Sequence, residues 1–162
     1  MLAVAVAYIE RTAISHAMPF ILAETSISKS EAGWVLSSFA FGYVVGLPLS
    51  GRIIRNLGHS RTLRWISSGW LLAAVGLSFA NDYRWMVVLR FALGLFEGPL
   101  FPLFISWISL TVRSQLRPIT IGSVEACSCL GMALAGPITV SIAQSEGWRL
   151  AYAIVGGIAL VA

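Results

Sequence analysis

This sequence of 162 residues is short of charge. Asp, Glu, Lys and Arg together make up 11% of it, against about 25% in an ordinary soluble domain. A chain so poor in charge and 57% hydrophobic, with a mean hydropathy of +0.83, cannot clothe a water-facing surface, and composition assigns it to the membrane class. Cysteine is nearly absent too. Cys127 and Cys129 stand two residues apart in an apolar run; on a helix they point to different sides, which argues against a mutual disulfide. No further Cys or His pair completes a zinc pattern, and both read as small packing residues. There is no nucleophile–base pair, metal cluster or nucleotide loop, so the sequence predicts neither an enzyme nor a cofactor. The opening residues are apolar with no positive stretch ahead of them, which argues against a cleaved signal peptide.

What positive charge there is, a net +4 with a pI near 9.6, is distributed in a telling way. The arginines gather in short gaps between apolar runs, not along one solvated face. That pattern belongs to membrane topology and argues against nucleic-acid binding. Apolar runs of spanning length fall at about 1–23, 33–54, 64–80, 85–111, 118–143 and 149–162, each measured against the ~20 residues a span needs. Short connections make neighbouring spans antiparallel. The last run is short, so the sequence reads as a fragment cut partway through a sixth span. Arg52, Arg55, Arg61 and Arg64 fill one gap and Arg113 and Arg117 another on the same side. The positive-inside rule makes that side cytoplasmic and places the N-terminus there as well, in an inner or plasma membrane. Trp34, Trp85 and Trp148 near the outer ends, with Trp65 and Trp107 near the inner ends, read as an aromatic belt.

Five charged residues remain inside the runs: Glu10 and Arg11 in the first, Arg90 and Glu97 in the fourth, Glu125 in the fifth. A charge at the bilayer centre costs about 2.5–3.5 kcal/mol on insertion scales, so these should face one another or a wet cavity. Arg90 and Glu97 are seven residues apart, which on a helix falls about 20° short of two turns, so with Gly94 they share a face. Arginine stays charged at any working pH, whereas carboxylates exchange protons. The set therefore offers fixed cations to hold an anion and carboxylates to carry protons. A helix-fastening salt bridge needs one pair, not a set spread over three helices. His16, one turn beyond Arg11, reads as a packing histidine that could join a proton path. Tyr43 in the second run either packs or offers its hydroxyl to the same cavity. Gly42 with Gly46, and Gly94 with Gly98, carry the four-residue spacing of close helix packing. Pro48, Pro99, Pro102 and Pro137 are expected to kink or interrupt spans.

The segments "YIERTAIS" (8–15), "LRFALGLFEGPLFP" (89–102), "GSVEACSCLGMALAGPI" (122–138) and "GWRLAYAIVGG" (147–157) together resemble the anion:cation symporter branch of the major facilitator superfamily. The resemblance is closest to its sugar-acid transporters for galactonate, hexuronate and glucarate. It covers essentially the whole chain and corresponds to the first half of such a transporter. It implies an all-α membrane protein, the N-terminal six-helix bundle with its sixth helix truncated, completed by a C-terminal half that the sequence lacks. It also implies proton-coupled uptake of a small organic anion by alternating access. Arg11 and Arg90 match the family's carboxylate-binding arginines, Tyr43 its substrate-contacting tyrosine, Glu97 its proton-coupling glutamate, and Glu10 an acidic position where Asp is usual. Two departures stand out. In "GRIIRNLGHSR" (51–61), Arg55 occupies the place of an aspartate that helps latch the two halves. Glu125 stands near a position more often neutral, as a further proton site or a partner for Arg90. An efflux transporter of the same fold for drug-like compounds, or a non-transporting membrane sensor, are the competing expectations.

Overall fold

The computed structural model describes residues 2–158; Met1 and the stretch 159–162, which the first and last expected spans include, lie outside the described residues. Every long element among them is an α-helix: α1 Leu2–Glu24, α2 Lys29–Leu57, α3 His59–Ser78, α4 Tyr83–Glu97, α5 Leu100–Thr111, α6 Arg117–Glu146 and α7 Trp148–Ile158. One 3-10 turn, Ser114–Leu116, leads into α6. Helices are what an apolar sequence in lipid must form, since each backbone N–H and C=O has to be satisfied within its own segment. By length and apolarity alone, Lys29–Leu57, Tyr83–Thr111 and Ser114–Glu146 are fit to cross a membrane. α1, which carries Glu10, Arg11 and His16, and α3, which opens with His59, Arg61 and Arg64, are not among these three.

α4 and α5 form one rod with a weak point. Gly98 and Pro99 keep near-helical backbone angles (φ −49°, ψ −46° and φ −73°, ψ −9°), so the chain runs on nearly straight. Pro99 has no N–H to offer the carbonyl of Leu95. That carbonyl instead faces Gly46 of α2, in the space a Cβ there would occupy. The same device repeats along the α2–α4 seam. A Cβ on Gly42 would fall on the carbonyl of Phe91, and one on Gly94 on the carbonyl of Phe39. Lipid offers no hydrophobic drive for helices to associate, so close van der Waals packing must supply it. The four-residue glycine spacing is thus answered by the most extensive helix pair of the bundle, α2 on α4. α1 packs along α6 in similar fashion, with Gly131 against the backbone of Ala5. α7 closes the bundle against α6, α3 and α1.

The helix ends are tied by specific contacts. Ser28 and Glu31 form a reciprocal capping box at the start of α2, and Asp82 caps α4 through the N–H of Arg84. At the same end of the bundle, Arg149 donates to the carbonyls of Ser78 (3.2 Å) and Ala80 (3.1 Å) at the close of α3 and pairs with Glu24 of α1 at 3.4 Å. Its guanidinium lies over Trp148 (4.4 Å to the ring centroid). Trp148 is buried to 1% exposure, so it packs within the bundle, whereas Trp34 and Trp85 are exposed as belt residues are. The expectation for Trp148 failed because the residue packs into the main core cluster with the Arg149 guanidinium over its ring. At the other end, Arg117 donates to the carbonyls of Ser109 (2.6 Å) and Val112 (3.0 Å), satisfying the frayed end of α5. His59 of α3 is hydrogen-bonded to Ser106 of α5 at 2.9 Å.

Candidate functional site

The polar layer gathers side chains from the middle of α1, from α2, from the middle and the C-terminal end of α4, and one each from α3 and α7. Successive positions on α1 send Glu10 and Arg11 to different sides. Glu10 is fully buried (0% exposed) and turned inward. Its Oε2 accepts from the indole N–H of Trp70 on α3 at 3.1 Å, and its Oε1 accepts from the hydroxyl of Tyr152 on α7. Arg11 turns the other way and keeps 23% of its side chain exposed; its Nη2 pairs with Glu97 Oε1 of α4 at 2.9 Å, with Glu97 itself only 2% exposed.

Arg90, one face and two turns before Glu97, is 2% exposed. Its Nη1 donates to the hydroxyl of Tyr152 and its Nη2 to the backbone carbonyl of Arg11, both at 3.4 Å. Charge-assisted hydrogen bonds commonly run about 2.7–2.9 Å, so Arg90 is loosely held. The pairing is therefore crossed. The α1 arginine meets the α4 glutamate directly, and the α1 glutamate reaches the α4 arginine through a tyrosine.

Aromatic faces do the remaining work of holding two cations near one another. The Arg11 guanidinium lies 4.6 Å from the ring centroid of Tyr8, 4.8 Å from Tyr43 and 4.9 Å from Phe39. The Arg90 guanidinium lies 4.8 Å from the same Phe39 ring. Phe39 thus presents its π-system to both arginines, an attraction that offsets part of their mutual repulsion. Tyr8, Arg11, Tyr43 and Glu97 border a narrow cleft whose other walls are Val4, Leu100, Phe101 and Phe104. Arg11 Nε, Arg90 Nε and Glu97 Oε2 are buried without a hydrogen-bond partner among the described residues. In a native site, polar atoms left unpaired in this way ask for an explanation such as a ligand, an ion or water.

Of the residues singled out from the sequence, Glu10, Arg11, Tyr43, Arg90 and Glu97 come together in this layer. Glu125 does not join them. It is exposed on α6, and its carboxylate accepts from Ser128 of its own helix at 3.2 Å, while the partners of Arg90 are Tyr152 and the Arg11 carbonyl. His16 lies against Gly136 of α6, away from these hydrogen bonds. Four participants escaped the sequence reading: Tyr8, Phe39, Trp70 and Tyr152. Each is an aromatic residue in an apolar run, where packing is the ordinary role. In Tyr152 and Trp70 a hydroxyl and an indole N–H, groups that need a partner when buried, were the available signal.

Helices fit for a bilayer around a buried layer of opposed charges define a multi-pass membrane protein with an internal polar site. The chain belongs to the Major Facilitator Superfamily, whose family model matches residues 1–162. It is similar to a probable sulfoacetate transporter of Cupriavidus necator, with 34% identity over 159 residues, covering 96% of this chain and 36% of that protein. It is also similar to a hexuronate transporter of Bacillus subtilis (28% identity; 95% of this chain, 36% of that protein) and a D-galactonate transporter of Escherichia coli (26% identity; 98% and 37%). The expected kinship with the anion-transporting branch is borne out by these relatives. The chain spans a little over a third of the length of each.

Proposed function

We propose that this chain is the N-terminal bundle of a secondary transporter that takes up a small organic anion, most nearly a sugar acid, together with a proton. A second bundle of the same transporter would form the other wall of the site. The observation that carries this reading is the Arg11–Glu97 pair, 2.9 Å apart, with the arginine partly exposed and the carboxylate buried. An anionic ligand entering the cleft competes with Glu97 for Arg11. Protonation of Glu97 removes that competitor, so proton and anion favour each other's binding. Freed guanidinium groups then hold the ligand's carboxylate by charge-assisted, bidentate bonds. Arg11 and Arg90 are the anion-binding residues in this scheme, Tyr43 lines the path beside Arg11, and Glu97 and Glu10 carry protons. Glu125, exposed on α6 and bonded to Ser128, has a place only as an outer proton site. Rocking of the two bundles about a midplane site supplies alternating access. The arginine-rich gaps put the N-terminus on the cytoplasmic side of a cell membrane.

That the relatives are named for sulfoacetate, hexuronate and galactonate supports a small anion as the cargo. The test is uptake by the full-length protein in proteoliposomes under an imposed inward proton gradient, with galactonate, glucuronate, sulfoacetate and a neutral hexose. Uptake of an acid but not the hexose, collapsing with the gradient, is the expected result, and Glu97→Gln should uncouple it from the gradient. Gradient-driven uptake that survives Glu97→Gln unchanged rules out the coupling role. Export of cationic compounds, indifferent to Arg11→Ala, would instead favour an efflux transporter.

A further inference from the structure

Tyr152 lies outside the charge scheme above, yet it is the group through which Glu10 and Arg90 touch. It comes from α7 and is buried to 1% exposure. Its hydroxyl donates to Glu10 Oε1 and accepts from Arg90 Nη1 at 3.4 Å. A hydroxyl has one proton to give, and here it is given to the carboxylate, leaving the oxygen lone pairs for the guanidinium. Among the described residues the ion pairs are Arg11–Glu97 and Arg149–Glu24, so no direct ion pair joins Glu10 to Arg90.

We propose that Tyr152 is a positioning residue that makes the orientation of Arg90 depend on the charge of Glu10. When Glu10 is ionised it draws the hydroxyl proton toward itself, which polarises the oxygen and strengthens its bond from Arg90; chained hydrogen bonds reinforce one another in this way. When Glu10 takes up a proton, the carboxyl needs no donor and can itself donate to the hydroxyl oxygen. Arg90 then competes with that carboxyl proton for the hydroxyl oxygen, and its hold at Nη1 weakens. Its remaining contacts, a 3.4 Å bond to the Arg11 carbonyl and the face of Phe39, do not prevent it from swinging toward an anion.

The ring of Tyr152 packs α7 into the bundle, and a phenylalanine would pack as well; the hydroxyl is the hydrogen-bonded link between Glu10 and Arg90. The groups that face Glu10 are few. Trp70 comes from α3, Arg90 and Glu97 from α4, Tyr152 from α7, and Arg11 is its neighbour on α1. From α6, Glu125 is exposed and bonded to Ser128 of its own helix. The inference deepens the proton-coupled reading and rests on it for its biological meaning, but the hydrogen-bond relay has its own test.

The test is chemical labelling of Arg90 by phenylglyoxal in the purified full-length protein at one fixed pH, read by mass spectrometry of the Arg90 peptide. The variants are Glu10→Gln, Tyr152→Phe, their combination and Trp70→Phe. Glu10→Gln imitates the protonated carboxyl, and Tyr152→Phe removes the relay while keeping the ring. Each should raise Arg90 labelling by about threefold to tenfold, what release of one ordinary hydrogen bond allows, and the double variant should rise no further than either alone. Trp70→Phe removes the other donor to Glu10 and leaves the bond from Arg90 to Tyr152, so labelling should stay near wild type. Labelling indifferent to Glu10→Gln, or additive increases in the double variant, or a Trp70→Phe effect equal to that of Tyr152→Phe, would each overturn the proposal. Galactonate and sulfoacetate uptake measured alongside separates the two levels. An intact labelling pattern without gradient-driven uptake sinks the transport reading alone. Gradient-driven uptake with a failed labelling pattern sinks only the role of Tyr152.

Discussion

α4 has two neighbours that ask opposite things of it. Toward α2 it presents Gly94 and Gly98, and the two helices meet backbone to backbone with no room for a Cβ on Gly42, Gly46 or Gly94. Toward α1 and α7 it presents Arg90 and Glu97, whose long side chains reach the Arg11 guanidinium, the Arg11 carbonyl and the Tyr152 hydroxyl. The first seam has a single low-energy fit, since contacts between backbones cannot be re-dealt by rotating a side chain. The second is a set of exchangeable partners, in which a proton or an anion can replace what the protein supplies. Placing both on one helix gives the polar layer a fixed reference against which its side chains can move.

The largest expected effect comes from breaking the fixed seam. Gly94→Leu would drive a side chain into the carbonyl of Phe39 and the amide of Tyr43. Overpacking typically costs about 1–3 kcal/mol when side chains can yield, and here the obstacles are backbone atoms, so the cost should exceed that range. The expected outcome is loss of monodisperse protein on size-exclusion chromatography in detergent. A well-folded Gly94→Leu protein with an unchanged melting temperature would mean that the seam is not the rigid element.

Next comes the exchangeable side. Arg11→Ala removes the partner of a buried carboxylate. Breaking one half of a buried pair costs about 3–5 kcal/mol, and the lower end is expected because Arg11 is partly exposed. The sign with pH follows from what is left behind. An ionised Glu97 without Arg11 is an uncompensated charge, whereas a protonated one is not. The loss should therefore be greatest at high pH and shrink as pH falls, and Arg11→Ala with Glu97→Gln should recover most of it at every pH. Thermal unfolding across a pH series checks this. A pH-independent loss would show that Arg11 acts through its packing on Tyr8, Phe39 and Tyr43, not through its charge.

The contrast between the seams also explains what could be read in advance. The glycine spacing and the charged positions were visible because each breaks a rule of the bilayer: small residues where bulk would be cheaper, and charge where solvation is absent. Those rules led to Arg11, Arg90, Glu10 and Glu97 before any coordinates. They could not say who pairs with whom. Adjacent in sequence, Glu10 and Arg11 part company because a helix turns each residue by about 100°. Phe39, Trp70 and Tyr152 break no rule, since an aromatic residue is at home in an apolar helix. The roles of Trp70 and Tyr152 depend on contacts over 60 and 142 positions of sequence, which no local pattern carries. Glu125 looked equivalent to the other carboxylates by the same rule, but its helix turns it to the outside of this bundle.

The smallest effect tests whether the rigid seam owes anything to polar contacts. α2 carries its own at its start, where Ser28 accepts from the N–H of Glu31 at 3.3 Å and Glu31 accepts from the N–H of Ser28 at 2.8 Å. Ser28→Ala removes one side of this capping box, and such losses cost about 1 kcal/mol. Gly42, the first glycine of the seam, lies more than three turns further on, beyond the reach of a frayed first turn. Hydrogen exchange should therefore quicken at the amides of the opening turn of α2 and stay unchanged around Gly42 and Gly46. If protection at the glycines fell with the cap, the seam and the helix start would unfold as one unit. The fixed reference would then extend to the mouth of the bundle, and the division between rigid and exchangeable sides would run across α2 as well as along α4.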